Sequence, residues 1–156
     1  MWLSHDLFRS VVAATPLISI DLVVQNSRGE ILLGQRLNRP AKGDWFVPGG
    51  RILKNETMDA AFSRLTRQEL GKGFQRSEAR MLGVYEHFYA NSIFGESNEG
   101  PDTHYIVLAY QFILAKGEVL QPPNAQHDAY RWWSMNDAQT SEKVHDNTRA
   151  YFDALR

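Results

Sequence analysis

A glutamate stands where a buried apolar side chain belongs. Met58, Phe62 and Leu65 recur at the i, i+4 and i+7 spacing of one helix face, and the next position on that stripe is Glu69. A carboxylate there is partly desolvated, and it falls in the last helical turn, where the helix dipole disfavours negative charge. A bound cation would relieve both costs. So would an ion pair with Arg67 or Lys72, or a side chain turned outward at the helix edge. Upstream, Pro48-Gly49-Gly50 lets backbone approach a ligand closely. A bare carbonyl such as that of Gly49, with a carboxylate, suits magnesium, which keeps several waters and shares phosphate oxygens with its substrate. Read without chemistry, the glycine pair is an ordinary tight turn. That reading leaves unexplained why the turn leads into a helix with a misplaced glutamate.

The elements that must position these groups follow from local pattern. Ser4 caps a short helix with Leu7, Phe8, Val11 and Val12 on one face, closed by Thr15-Pro16. Leu17 to Gln25 alternates as a strand with Ile18, Ile20, Leu22 and Val24 on one face, turned at residues 26–29 into a returning strand through Ile31-Leu32-Leu33. Trp45-Phe46-Val47 is a short strand, Thr57–Leu70 is the helix, and Gly71 and Gly73 end it. Strands are predicted over Arg80–Tyr89, His104–Leu114 and Tyr130–Trp133, with a long polar loop over Ala90–Asp102. Ser134 and Asp137 resemble a capping box opening a helical C-terminal part. The expected class is α+β: one domain over 1–156, an α/β/α sandwich in which a mixed sheet carries helices on both sides.

Bulk properties narrow the chemistry further. With 156 residues, 43% hydrophobic and 22% charged, the chain can bury a core, and its net charge of −1 advertises no nucleic-acid partner. Phosphate binding must therefore come from locally placed arginines. The absence of cysteine excludes disulfides, thiolate metal sites and cysteine nucleophiles. Leu3–Ala14 is interrupted by His5, Asp6, Arg9 and Ser10, so it reads as neither a signal peptide core nor a membrane span, and a cytoplasmic protein without a membrane partner is expected.

Residues 50–72 resemble the Nudix box. Gly50, Glu56, Arg64, Glu69 and Gly71 stand in register with it, while Leu65 and Gln68 replace two of its glutamates and Thr66 and Lys72 replace two hydrophobes. Across nearly the whole chain, through segments such as Asn38-Arg39-Pro40-Ala41, residues 45–51, His87-Phe88-Tyr89, Thr103-His104-Tyr105 and Gln126-His127-Asp128, the sequence is similar to a branch with the same reduced box, the GDP-mannose mannosyl hydrolases.

That resemblance implies hydrolysis of GDP-mannose, or GDP-glucose, to GDP and free sugar. Water would attack the sugar C1 with inversion rather than phosphorus. With the carboxylate cluster reduced to Glu69, one Mg2+ per site is expected, Mn2+ being able to substitute, held by the Gly49 carbonyl, Glu69 and Gln126. A nucleoside diphosphate leaves as an anion, so Arg36 and Arg51 with the metal would neutralise it. His127 would take the proton from water; read without the resemblance it is a solvated histidine on a loop. Asp21, facing away from Ile20 and Leu22, would orient the base or bind sugar hydroxyls, unless it only faces solvent. Arg64 would hold a phosphate or neutralise Glu56 or Glu69. His87 and Tyr105 would project into the cleft to meet substrate or else sit in the core. Trp2, Leu3 and Phe8 would help hold the guanine across a homodimer interface, or simply pack an amphipathic helix. Arg39 and His104 carry no assigned role. Two other readings stay open: a pyrophosphatase cutting P–O, and a nucleotide-sugar sensor without turnover.

Overall fold

The computed structural model describes residues 2–122 and 127–156; of residues 127 and 128 it describes the backbone alone. Gln126, expected to hold the metal, lies outside the described residues. The elements run α1 (His5–Ala14), β1 (Leu17–Gln25), β2 (Ile31–Arg36), β3 (Trp45–Phe46), β4 (Gly49–Arg51), α2 (Met58–Leu70), β5 (Arg80–Tyr89), β6 (Thr103–Ile113), β7 (His127–Trp133), α3 (Met135–Thr140) and α4 (Asp146–Arg149). No helix among the described residues is long and apolar enough to cross a membrane.

One mixed sheet organises the chain. Its path is β3-β2-β1-β6-β5, with β4 also paired to β1 and β7 to β2; β1 and β6 run parallel and the other pairs antiparallel. Both faces are covered. On one, Ile20, Leu22 and Val24 of β1 meet Ala61, Phe62, Leu65 and Leu70 of α2, with Tyr110 and Phe112 from β6. On the other, Val23, Leu33, Trp45 and Ala109 meet Ala138 of α3, Val144 and Tyr151. This is the expected α/β/α layering.

Local signals hold where they are local. The Ser4 Oγ accepts from Leu7 N, Thr57 caps α2, and Gly71 ends α2 at φ +78°, a left-handed geometry that favours glycine. Ser134 accepts from Asp137 N at the start of α3. The α1 face differs from expectation: Val12 alone is buried, while Leu7 is 52% exposed and Phe8 packs on Phe94 and Arg51. Ile18 is likewise 51% exposed at the uncovered start of β1, although Ile20, Leu22 and Val24 turn into the core as the alternation predicts. Being central, β1 also buries Leu17, Ser19 and Val23 on its second face, the face that carries Asp21.

Candidate active site

The glycine pair is part of a strand and not a simple turn. Gly49–Arg51 pairs with β1, Gly49 opposite Asp21 and Gly50 opposite Ile20. A Cβ on Gly49 would meet the Ile20 carbonyl at 2.4 Å and Asp21 Oδ1 at 2.5 Å, and one on Gly50 would meet Leu65 Cδ2 at 2.5 Å. Glycine is thus demanded by close approach to β1 on one side and to α2 on the other. Bonds from Leu22 N to the Pro48 carbonyl and from Ile52 N to the Ile18 carbonyl, both 2.8 Å, bracket this ladder. Alternation then turns the Gly49 and Arg51 carbonyls away from β1. That of Arg51 accepts from Arg64 Nη2 at 2.8 Å.

Arg64 fastens this strand and its loop to α2. It grips Glu56 through Nε at 2.7 Å and Nη2 at 2.8 Å, and its Nη1 donates to Gln68 Oε1 at 3.0 Å. Glu56 also accepts from Leu53 N, and the Arg64 bond holds its carboxyl below the usual carboxylate range. Of the partners expected for Arg64, the structure supplies Glu56.

Glu69 is buried, 2% exposed, as its place on the apolar stripe predicts. Tyr130, on β7, donates to its Oε2 at 3.0 Å. Burial pushes its carboxyl up to about 7, against the opposing pull of the Tyr130 bond and the Arg36 charge. The alternative pairing with Arg67 or Lys72 is not made: Arg67 reaches Ser63 and Lys72 reaches Glu118. A buried carboxylate is the kind of hard oxygen ligand that a divalent cation takes, and a nearby positive charge would offset its desolvation. Among the described residues no three His, Cys, Asp or Glu side chains gather into a larger cluster.

A cleft of about 290 Å³ opens between β4, α2, the first half of β1, the end of β2, and β5 and β6. Asp21, Arg36, Arg51, Arg64, His87, Tyr105, Trp2, Phe8 and Gly49 all line it; Leu3 and Glu69 do not. Burial raises Asp21 to about 6, opposed by a hydrogen bond from Tyr151 and by Arg36. The Arg36 charge is felt by Asp21 and Glu69 alike, although the two carboxyls belong to opposite faces of the sheet. Burial lowers Arg51, whose guanidinium lies 4.4 Å from the Phe8 ring, and that of Arg64 lies 5.8 Å from Trp2. These aromatics of the N-terminal segment therefore cover arginines of their own chain, and Leu3 is half-buried nearby in sequence without reaching the cleft.

His87 is buried and pushed down to about 4, mainly by burial and then by His145. His127 opens β7, paired opposite Arg36, where the sequence suggested a loop; the β2 ladder recruits it, with a register shift between Gln35 and Arg36. Three tyrosines escaped sequence reasoning. Tyr130 holds Glu69, Tyr89 lines the cleft and accepts from Asn147, and the fully buried Tyr151 donates to Asp21. Each is an aromatic residue in or beside a strand or helix, with no local signal separating it from core.

Comparison with known proteins gives the family and the fold. A family model described as NUDIX domain matches residues 15–155. The low-salt glycan biosynthesis protein Agl8 of Haloferax volcanii is 38% identical over 151 residues, 96% of this chain and 88% of that protein. The crystal structure of a MutT NUDIX hydrolase from Burkholderia pseudomallei superposes with TM-score 0.71 at 24% identity, covering 91% of this chain and 99% of that one. A bifunctional NMN adenylyltransferase/ADP ribose pyrophosphatase from Francisella tularensis, complexed with AMP and a manganese ion, gives 0.66 at 18% identity over 96% of this chain and 44% of that one.

Proposed function

The chain belongs to the NUDIX domain family and is a Nudix-type hydrolase, and from that premise we propose that it hydrolyses a GDP-sugar, GDP-mannose or GDP-glucose, to GDP and free sugar. Water attacks the sugar C1 with inversion. The observation that carries the reading is the lining of the cleft: Arg36 and Arg51, which can neutralise a leaving diphosphate, share it with Asp21, His87 and Tyr105, which offer polar groups to a sugar. The α2 positions that flank Glu69, Leu65 and Gln68, carry no carboxylate to arm a water against phosphorus. The link to a glycan biosynthesis protein adds support on the side of nucleotide sugars.

A divalent ion, Mg2+ or Mn2+, would be held by Glu69, the Gly49 carbonyl and Gln126, and when bound it supplies charge for the leaving diphosphate. The Francisella relative's manganese supports that choice. This chain's own residues do the rest. Arg36 and Arg51 bind the diphosphate oxygens, Phe8 covers the Arg51 guanidinium and Trp2 lies against Arg64 on the nucleotide side, and Asp21 orients the sugar or the base. His127, whose backbone pairs opposite Arg36, takes the proton from the attacking water. The protein acts as a homodimer in the cytoplasm, with Leu3 contributing to the nucleotide side of the interface.

Hydrolysis in oxygen-18 water tests the central claim. Label in the sugar supports attack at C1, and label in the GDP phosphate moves the protein to the pyrophosphatase reading. A protein that binds GDP-mannose without turnover is a sensor.

A further inference from the structure

Beneath the cleft, one hydroxyl faces two groups that can take its proton. The Tyr151 OH donates to Asp21 Oδ2 and lies 3.3 Å from His87 Nε2. Tyr151 is fully buried, packed edge-on against Tyr85 at 4.7 Å between ring centroids, and does not itself line the cleft. A hydroxyl carries one proton and two lone pairs, whereas an ionised carboxylate only accepts. With that proton committed to Asp21, the contact with His87 can form only if the imidazole donates. The ring must therefore carry its hydrogen on Nε2.

His87 has no freedom to satisfy this by charging. It is 5% exposed, ringed by Phe46 and Tyr89 at 6.4 Å each, and burial keeps it neutral at ordinary pH. A neutral imidazole with hydrogen on Nε2 has a bare lone pair on Nδ1. That nitrogen has no hydrogen-bond partner among the described residues, yet it is not among the atoms sealed from solvent without a partner. Because His87 lines the cleft, its small exposed area opens there.

We propose that Tyr151 is a positioning residue that fixes His87 in the Nε2–H tautomer, so that Nδ1 presents an acceptor to one hydroxyl of the sugar. The inference rests, for its substrate, on the nucleotide-sugar reading above. Its tautomer half stands on the hydrogen bonds and on the burial that keeps the imidazole neutral. The order of groups, carboxylate to phenol to imidazole to substrate, ties the face of β1 to the inner face of β5 through a residue near the end of the described chain.

Nitrogen-15 NMR of the full-length protein tests it, with the His87 signals identified by their loss in His87→Gln. The expected wild-type spectrum shows a protonated Nε2 and a bare Nδ1. In Tyr151→Phe the preference for that tautomer is lost, the KM for GDP-mannose rises roughly fivefold, as for one hydrogen bond, and the affinity for GDP, which lacks the sugar, is unchanged. A wild-type ring protonated on Nδ1 overturns the proposal whether or not Tyr151→Phe folds, and so does a Tyr151→Phe protein that keeps the wild-type tautomer. Equal loss of GDP and GDP-mannose affinity reduces Tyr151 to a packing residue and overturns it too. If the tautomer behaves as stated but no GDP-sugar is turned over, the substrate reading fails and the positioning role stands.

Discussion

Replacing Glu69 with glutamine separates what the carboxyl does for chemistry from what it does to stability. A carboxyl moved from an ordinary 4.5 to about 7 disfavours folding once it ionises. The full cost is about 3 kcal/mol, and most of it accrues between pH 5 and pH 8. The sign follows from the raised value: stability is complete below the ordinary value and is lost as pH rises through about 7. Without metal, then, the wild-type protein becomes less stable from pH 5 to pH 8. Glu69→Gln has no such loss from this position, and its amide oxygen can still accept from Tyr130. At pH 8 in a chelator the variant is expected to be the more stable protein. The gain is up to several degrees in Tm, given roughly 2–4 °C per kcal/mol for a chain of this size. Asp21 is also raised, but it is common to both proteins and cancels in the difference. Added Mg2+ should raise the wild-type Tm at pH 8 and leave the variant nearly unmoved, with the variant's rate of turnover lower by orders of magnitude. Gln68→Ala, which removes only an acceptor for Arg64, should stay near wild type in both assays. Thermal melts at the two pH values, with chelator and with Mg2+, check all of this. A variant that loses stability at pH 8 as the wild type does, or gains as much from Mg2+, refutes the placement of a cation at Glu69.

Other outcomes follow from the same geometry. The rate should rise with pH through one group near neutrality, and His127→Gln should abolish that limb while substrate binding is little affected; a limb that survives would pass the base to Asp21, whose carboxyl titrates near 6. Gly49→Ala should be severely destabilising, because the new methyl meets backbone at 2.4 Å, whereas Gly50→Ala meets the movable end of Leu65 and should unfold at a temperature closer to wild type. Arg64→Lys, which cannot keep two bonds to Glu56 and a third to the Arg51 carbonyl, should cost about 2 kcal/mol by chemical denaturation.

What could be read from the sequence was what short stretches encode. Capping residues, the alternation of Leu17–Gln25 and the stripe of α2 all specify structure within a few residues of themselves, so strand and helix limits and the burial of Glu69 were legible. The family spacing made most of the cleft legible as well: Asp21, Arg36, Arg51, His87 and Tyr105 do meet there. Pairing with distant chain was not legible. Gly49–Arg51 looks like a turn until β1 is laid beside it, and His127 looks like loop until β2 extends it. Tyr130 and Tyr151 are indistinguishable in sequence from ordinary packing aromatics, because what sets them apart is a carboxyl tens of residues away: |i−j| is 61 for Tyr130 and Glu69 and 130 for Tyr151 and Asp21.

The parallel pairing of β1 with β6 has a consequence for the order in which the molecule forms. Its register runs from Leu17 with Tyr105 to Gln25 with Ile113, and the side chains of Gln25 and Gln111, bonded across it, are 86 residues apart in sequence. Closing a loop of that length costs about 4 kcal/mol of chain entropy before any contact repays it. The β1–β2 hairpin and α2 are local and can form early, but Tyr105 and His87 reach Asp21 only when the central pairing closes. A nascent or partly refolded chain will therefore display helix and hairpin well before it can bind anything, and recovery of ligand binding, followed in time, reports the last step of folding.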